Sequence, residues 1–354
     1  MNTHQKKSVL FIVPYPEKKA PGQRFRFELF LNSLNKAGIS YQVKPFLRDR
    51  AYEVIFRKGH LLHKLSAVIS GFIRRLVQLA SSMSYDFIYI YREATPVGPP
   101  WWEWTMHVFG KKVIYDFDDA IWLKDDNEKR FPGSLKWKQK VPRICKWSYK
   151  ISVGNAYLHS YAEKFNPRAE IIPTVVDTAH HTPGLNNHSI LTIGWTGSHS
   201  TLPYLDSVMP VLRKLHEQAD FRFIIIADQD PGFSDEFVEF RKWNIETEIK
   251  DLKEIDIGIM PLPDSPWAKG KCGFKLIQYL ALEIPAVASD VGVNRKILGD
   301  AGYICSSNEE WENALYQLLN NKKLRNEMGI SGRKFIEENY SLMAVEEKFI
   351  GLFN

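Results

Sequence analysis

Short runs of β-branched and aromatic residues alternate with stretches of helical periodicity along this 354-residue chain, and few folds other than parallel sheets wrapped by helices accommodate that alternation. Ser8–Pro14 reads as a buried strand and is followed by the Pro/Gly loop Pro14–Gly22. Phe25–Ala37 has helical spacing and stops at Gly38. Further strands are expected at Tyr41–Pro45, Phe87–Tyr91, Lys112–Tyr115, Lys150–Val153 and Glu170–Ile172, with a helix at Trp101–Phe109. The polar, turn-rich Thr178–Ser189 is the best linker candidate. The alternation then restarts, with strands expected at Ile190–Trp195, Phe221–Ala227, Asp256–Met260 and Ala286–Ser289. Helices are expected at Leu202–Gln218, Phe274–Leu282, Glu309–Asn320 and Lys322–Asn339. Length alone suggests two domains, at roughly 150 residues each. The expectation is two doubly wound halves with ligands at the carboxyl ends of the strands and a cleft between the lobes.

Composition removes several other classes. Apolar residues make up 44% and charged residues 25%, enough to build a core and exclude global disorder. The longest uncharged apolar stretch, Leu65–Ile73, falls far short of the ~20 residues of a spanning helix. The polar start, Met1–Lys7, has no secretory apolar region. Three cysteines at unrelated spacings support neither a disulfide framework nor a zinc knuckle. A cytoplasmic protein is expected.

The net charge of +6 is concentrated. Residues 41–84 hold Lys44, Arg48, Arg50, Arg57, Lys58, Lys64, Arg74 and Arg75 against Asp49 and Glu53 alone. Over Arg57–Leu79 these cations are interleaved with apolar residues at helical spacing. A second block, Lys129–Lys150, is basic, free of acids and interspersed with Trp137, Trp147 and Tyr149. Such segments suit an anionic membrane surface or a polyprenyl-phosphate-linked substrate, and they imply peripheral attachment at the inner face of the membrane. A solvated helix face is the plainer alternative. No nucleic-acid-binding motif is present, so no nucleic-acid partner is expected.

Several segments in the second half occur in a telling order. They are Ile171–Thr178 (IIPTVVDT), Ile193–Ser198 (IGWTGS), Glu254–Leu262 (EIDIGIMPL), Gly273–Ser289 (GFKLIQYLALEIPAVAS) and Leu324–Tyr340 with Met328-Gly329 and Gly332-Arg333. In this order they resemble the nucleotide-sugar glycosyltransferases of the GT-B fold, in particular family four (glycosyltransferases group 1). The resemblance covers about residues 171–340. It implies two Rossmann-like lobes: residues 1–180 for the acceptor and 181–340 for the donor. Residues 341–354 would form a helix returning to the first lobe.

The residues themselves support a donor site. Gly197 and Ser198 follow a strand, where a bare backbone lets a diphosphate approach N–H groups. Lys269, Lys271 and Lys275 straddle Gly273 just where a helix begins, which suits a pyrophosphate. Gln278 shares a helix face with Lys275. Two departures from the family stand out. Gly270 and Gln278 occupy the positions of its two glutamates, and Thr196–Leu202 offers His199 in place of its Arg/Lys pair. Retaining and inverting stereochemistry therefore both remain open.

In the first half, Asp116, Asp118 and Asp119 close an apolar strand, where catalytic groups of doubly wound folds sit. Asp116 stands where many family members carry a histidine. Crowding of like charges is expected to raise one carboxyl toward general-base range. Asp116-x-Asp118 also matches two rival patterns. One is a metal-holding Asp-x-Asp of another glycosyltransferase fold; the other is the first motif of haloacid-dehalogenase phosphatases. Gly22, Arg24 and Arg26 follow the first strand and suit an anionic group of donor or acceptor. The combined expectation is sugar transfer from a nucleoside diphosphate sugar to a glycan or lipid-linked acceptor, in surface polysaccharide or glycoconjugate synthesis. No metal or other cofactor is expected. The alternative is an inactive nucleotide-sugar-binding scaffold in a glycan-assembly complex.

Overall fold

The computed structural model describes residues 7–55, 57, 59–123, 137, 139–184 and 190–354. Parts of the expected linker (185–189) and of the second basic block (129–136 and 138), together with Lys58, lie outside them. Two compact units divide the described chain: the first runs to Thr174 and takes up Val345–Asn354 again, and the second holds Val175–Ala344.

The first unit is built on a six-stranded sheet of β1 (Ser8–Val13), β2 (Ser40–Pro45), β3 (Phe87–Tyr91), β4 (Lys112–Phe117), β5 (Lys150–Val153) and β6 (Ala169–Ile171). All pairs are parallel, in the order β2-β1-β3-β4-β5-β6. The central strands are buried over nearly their full length, as expected for a sheet covered on both faces. The returning segment seals one face. Phe349 stacks on Phe30 with centroids 4.2 Å apart, and Lys150 donates to the Gly351 carbonyl at 2.9 Å.

The second unit repeats the plan with β7 (Leu191–Gly197), β8 (Phe221–Ala227), β9 (Val238–Lys242), β10 (Ile257–Met260), β11 (Ala286–Ser289) and β12 (Gly302–Cys305). The order is β12-β11-β10-β7-β8-β9, again all parallel. The core packs Ile193, Trp195, Phe223 and Ile259 against Leu212, Leu315 and Leu318 of the flanking helices. Both sheets are doubly wound, as the alternation of the sequence predicts.

Two expected helices are subdivided. Phe25–Ala37 becomes a helix Pro21–Arg26, a tight turn Glu28–Phe30 and a second helix Leu31–Lys36, because Phe27 leaves helical geometry at φ −142°. Leu202–Gln218 becomes a 3-10 turn Leu202–Ser207 followed by the helix Met209–His216. Each piece begins with a proline in its first turn, where a missing N–H costs nothing.

Candidate active site

In a doubly wound sheet the binding crevice forms at the carboxyl ends of the strands where the order reverses. In the first unit β1 is that point, with β2 on one side and β3 on the other. The loop leaving β1 is pinned by Gln23, which accepts from the Tyr15 amide and donates to the Tyr15 carbonyl at 2.9 and 3.0 Å. This brings Gly22 against the end of β3. A Cβ there would lie 2.3 Å from the Tyr91 hydroxyl oxygen and 3.1 Å from the Asp118 carboxylate, so only glycine fits. The Tyr91 hydroxyl donates to Asp118 at 2.9 Å. Arg92, left-handed at φ 60°, holds Asp118 at 2.8 Å and also pairs with Asp119. Gly22 therefore sits directly against Asp118.

The structure corrects the reading of Asp116 and Arg26. Both side chains are 0% exposed and pair with each other at 2.5 Å, and Arg26 also donates to Ser152 at 3.1 Å and to the Ile172 carbonyl. A carboxylate sealed against a guanidinium inside the sheet reaches no acceptor hydroxyl, and the sealed guanidinium reaches no phosphate. The pair is internal structure. Asp118 corrects the electrostatic expectation as well. Burial pushes its carboxyl up, but the charges of Arg92 and Arg26 and the hydrogen bonds from Arg92 and Tyr91 outweigh that, and its pKa ends below the usual value. Asp118 is thus made more acidic by its arginines rather than more basic by crowding. Arg24 lies with its guanidinium 4.5 Å over the Phe25 ring. Asp119 is the more accessible partner of Arg92, at 20% against 12% for Asp118.

In the second unit the reversal falls between β7 and β10. Gly197 ends β7 beneath the Trp195 indole, and a Cβ there would lie 2.3 Å from the ring. Lys275 sits 5.1 Å from the centroid of the same ring. The glycine turn and the lysine therefore meet on one buried tryptophan. Ser198 follows, its hydroxyl 2.9 Å from that of Ser200. Gly273, at φ 67°, is the N-cap of the helix Phe274–Ala281 and offers no side-chain cap to its first N–H groups. Lys271 lies 5.5 Å over Trp267, and Lys269 pairs with Asp264 at 2.8 Å on the surface. The Lys269 backbone is wedged against Gly292, where a Cβ would come within 2.9 Å of its carbonyl.

Gln278 is placed differently from expectation. It is 2% exposed, and its amide nitrogen lies 3.5 Å from the Glu248 carboxylate, which also accepts from the Trp243 indole at 3.1 Å. It shares the helix with Lys275 but is turned into the interior. Arg92, Tyr91 and Glu248 escape a reading of the sequence, because each is brought in by a strand or loop distant in the chain from the residue it touches.

Residues 188–321 match the family model described as Glycosyl transferases group 1. No protein of curated function matches the chain in sequence. Among solved structures, a glycosyltransferase from Rickettsia africae ESF-5 superposes with a TM-score of 0.71 at 13% identity, covering 99% of this chain and 98% of that one. Sucrose-phosphate synthase from Thermosynechococcus elongatus gives 0.69 at 11%, covering 98% of each. Anabaena HepE in complex with UDP and glucose gives 0.63 at 11%, covering 97% and 98%. At such identities these likenesses establish the fold.

Proposed function

We propose that this chain, which has the GT-B fold and whose residues 188–321 match the group 1 family model, is a glycosyltransferase that moves a sugar from a nucleoside diphosphate sugar to a glycan or lipid-linked acceptor in surface glycan synthesis. The observation that carries the reading is the assembly at the β7/β10 reversal. The Gly197 turn, the helix start after Gly273, and the ammonium groups of Lys271 and Lys275 suit a diphosphate with N–H donors and positive charge. In the transfer an acceptor hydroxyl attacks the anomeric carbon as its bond to the diphosphate breaks. The hydroxyl proton passes to a carboxylate, for which Asp119 is the choice, and the lysines take up the charge of the leaving diphosphate. Anabaena HepE, similar in fold, is found in complex with UDP and glucose, which supports a donor of this chemical class.

The helix Leu61–Ser82 supports a place at the inner face of a membrane. Leu62 (81% exposed), Leu65, Ile69, Ile73, Leu76 and Val77 (71%) form an open apolar stripe, and the helix carries no acid. Arg75 turns inward to the carbonyls of Val13, Lys44 and Ala94, so the surface charge is smaller than the sequence suggests. No helix of the described residues is long and apolar enough to cross a membrane.

The donor site is tested by calorimetric titration of nucleoside diphosphates into the parent, Lys271→Ala and Lys275→Ala. Each variant is expected to lose roughly 1.5–3 kcal/mol, the size of a charge-assisted contact, while nucleosides bind all three alike. Equal losses for nucleoside and diphosphate would remove the phosphate assignment.

A further inference from the structure

Four tryptophans with no part in the donor site gather on the first unit. The helix Trp101–Val108 turns Trp102 inward, where its indole donates to the Arg75 carbonyl at 3.1 Å, and leaves Trp104 exposed. The helix Lys140–Trp147 packs beside it, ending on Trp147 and preceded by Trp137. The His107 and Trp147 rings stack across the two helices with centroids 5.9 Å apart. Between them opens a groove of about 290 Å³, lined by Pro99, Pro100 and the indoles of Trp101, Trp104, Trp137 and Trp147. Arg143 completes the wall, its guanidinium 4.4 Å over the Trp137 ring. The two prolines end the loop 92–100, which begins at Arg92, the partner of Asp119, and Lys140 ties that loop down by pairing with Glu93 at 3.0 Å. One loop thus joins the groove to the carboxylate pair.

We propose that this groove binds an acidic glycan, one with carboxylates on its sugar rings, as a remote subsite for the acceptor. Pyranose rings lay their C–H faces flat on indoles, while their hydroxyls take up indole N–H groups. Among the described residues no oxygen accepts from the indole N–H of Trp104 or Trp137. Charge selects an acidic chain over a neutral one. The helix Lys140–Trp147 carries no acid and exposes Arg143 and Lys146. The one acid of the neighbouring helix, Glu103, is 1% exposed and accepts from the Ala94 N–H, so it leaves the outer face without a carboxylate. Among the described residues Arg143 donates to the Gln139 side chain at 3.3 Å and pairs with no carboxylate, which suits its guanidinium to one on a ligand. A bilayer is met by side chains that project, as Leu62 and Val77 do on the helix Leu61–Ser82. Trp137, at 38% exposure, and the half-buried Trp101 and Trp147 form walls instead. The inference rests on the proposed function for its glycan and narrows the acceptor to an acidic one.

The test titrates galacturonate, mannuronate and hyaluronan tetrasaccharides, each beside its methyl ester, into the intact chain and its Trp104→Ala, Trp137→Ala and Arg143→Gln variants. UDP, GDP and ADP are titrated into the same four proteins, which are also sedimented with anionic liposomes. The parent is expected to bind at least one of the acids, and its ester about fivefold more weakly, the worth of a charge-assisted contact at an exposed rim. Each tryptophan variant loses about tenfold for acid and ester alike, the size of one aromatic contact. Arg143→Gln loses the preference for the acid and keeps the affinity for the ester, and no variant changes the affinity for nucleoside diphosphates. A parent that binds a nucleoside diphosphate but none of the acids overturns the inference alone. So do tryptophan variants within twofold of the parent, or variants whose loss is confined to liposomes, which would make the groove a membrane contact. A parent that holds an acidic tetrasaccharide through these tryptophans and binds no nucleoside diphosphate keeps the groove and overturns the proposed function.

Discussion

Replacing Asp116 by Asn distinguishes an internal ion pair from a catalytic carboxylate. Arg26 and Asp116 are both fully buried, and their 2.5 Å contact is supplemented by a second one at 3.3 Å between Nε and the other carboxylate oxygen. The substitution leaves the guanidinium with Ser152, the Ile172 carbonyl and a neutral amide. Removing one partner of a buried pair costs about 3–5 kcal/mol, and the retained amide oxygen places this case at about 3 kcal/mol. With a urea m-value of ~2 kcal/mol/M, the unfolding midpoint of the first unit should fall by about 1.5 M. Urea titration followed by circular dichroism reads this directly. Pairing Arg26→Met with Asp116→Leu should cost less than Asp116→Asn alone, because no uncompensated charge stays behind. A variant with an unchanged midpoint and a hundredfold lower transfer rate would return Asp116 to the chemistry and refute this account of the pair.

Two further outcomes follow from the same geometry. Asp118 has a depressed folded-state pKa, so its contribution is full above its unfolded value near ~4 and is lost as pH falls through the folded value. Arg92→Met should therefore unfold more easily than the parent at neutral pH, with the difference shrinking below pH ~4; a difference constant from pH 7 to 3 would contradict the pairing. The parent should co-sediment with anionic liposomes, less so as salt rises, and Leu65→Glu with Ile69→Glu should abolish it by charging the exposed stripe. Sedimentation indifferent to lipid charge and salt would dispose of membrane attachment.

Fold and site differ in how far the sequence reveals them. The buried strands announce themselves as apolar runs, since a parallel strand covered on both faces has few polar positions. β9 escapes because Val238–Lys242 is an edge strand with charged residues, three of its five being Glu239, Arg241 and Lys242. β12 escapes because Gly302–Cys305 is short and only half-buried. The glycines and lysines proposed to hold the donor are legible because local turns and one helix start place them. The acceptor-side chemistry is not. Asp116, Asp118 and Asp119 look alike in the sequence, and their separation into one sealed and two accessible carboxylates depends on Arg26, ninety residues earlier, and on Arg92, across the sheet. Gln278 likewise needs Glu248, thirty residues before it, to reveal that it faces inward.

Turnover of labelled nucleoside diphosphate sugars tests the central claim most directly. The parent and Asp119→Asn are offered a donor panel with free glycan and polyprenyl-linked acceptors, and transfer of the labelled sugar is measured beside donor affinity. The account predicts that the parent transfers the sugar of at least one donor, and that Asp119→Asn binds it equally while transferring ~10²–10⁴-fold more slowly, the range for a lost general base. A parent that binds donors tightly and transfers none would make the chain a nucleotide-sugar-binding scaffold, and an Asp119→Asn variant as fast as the parent would shift the proton to the donor's own phosphate.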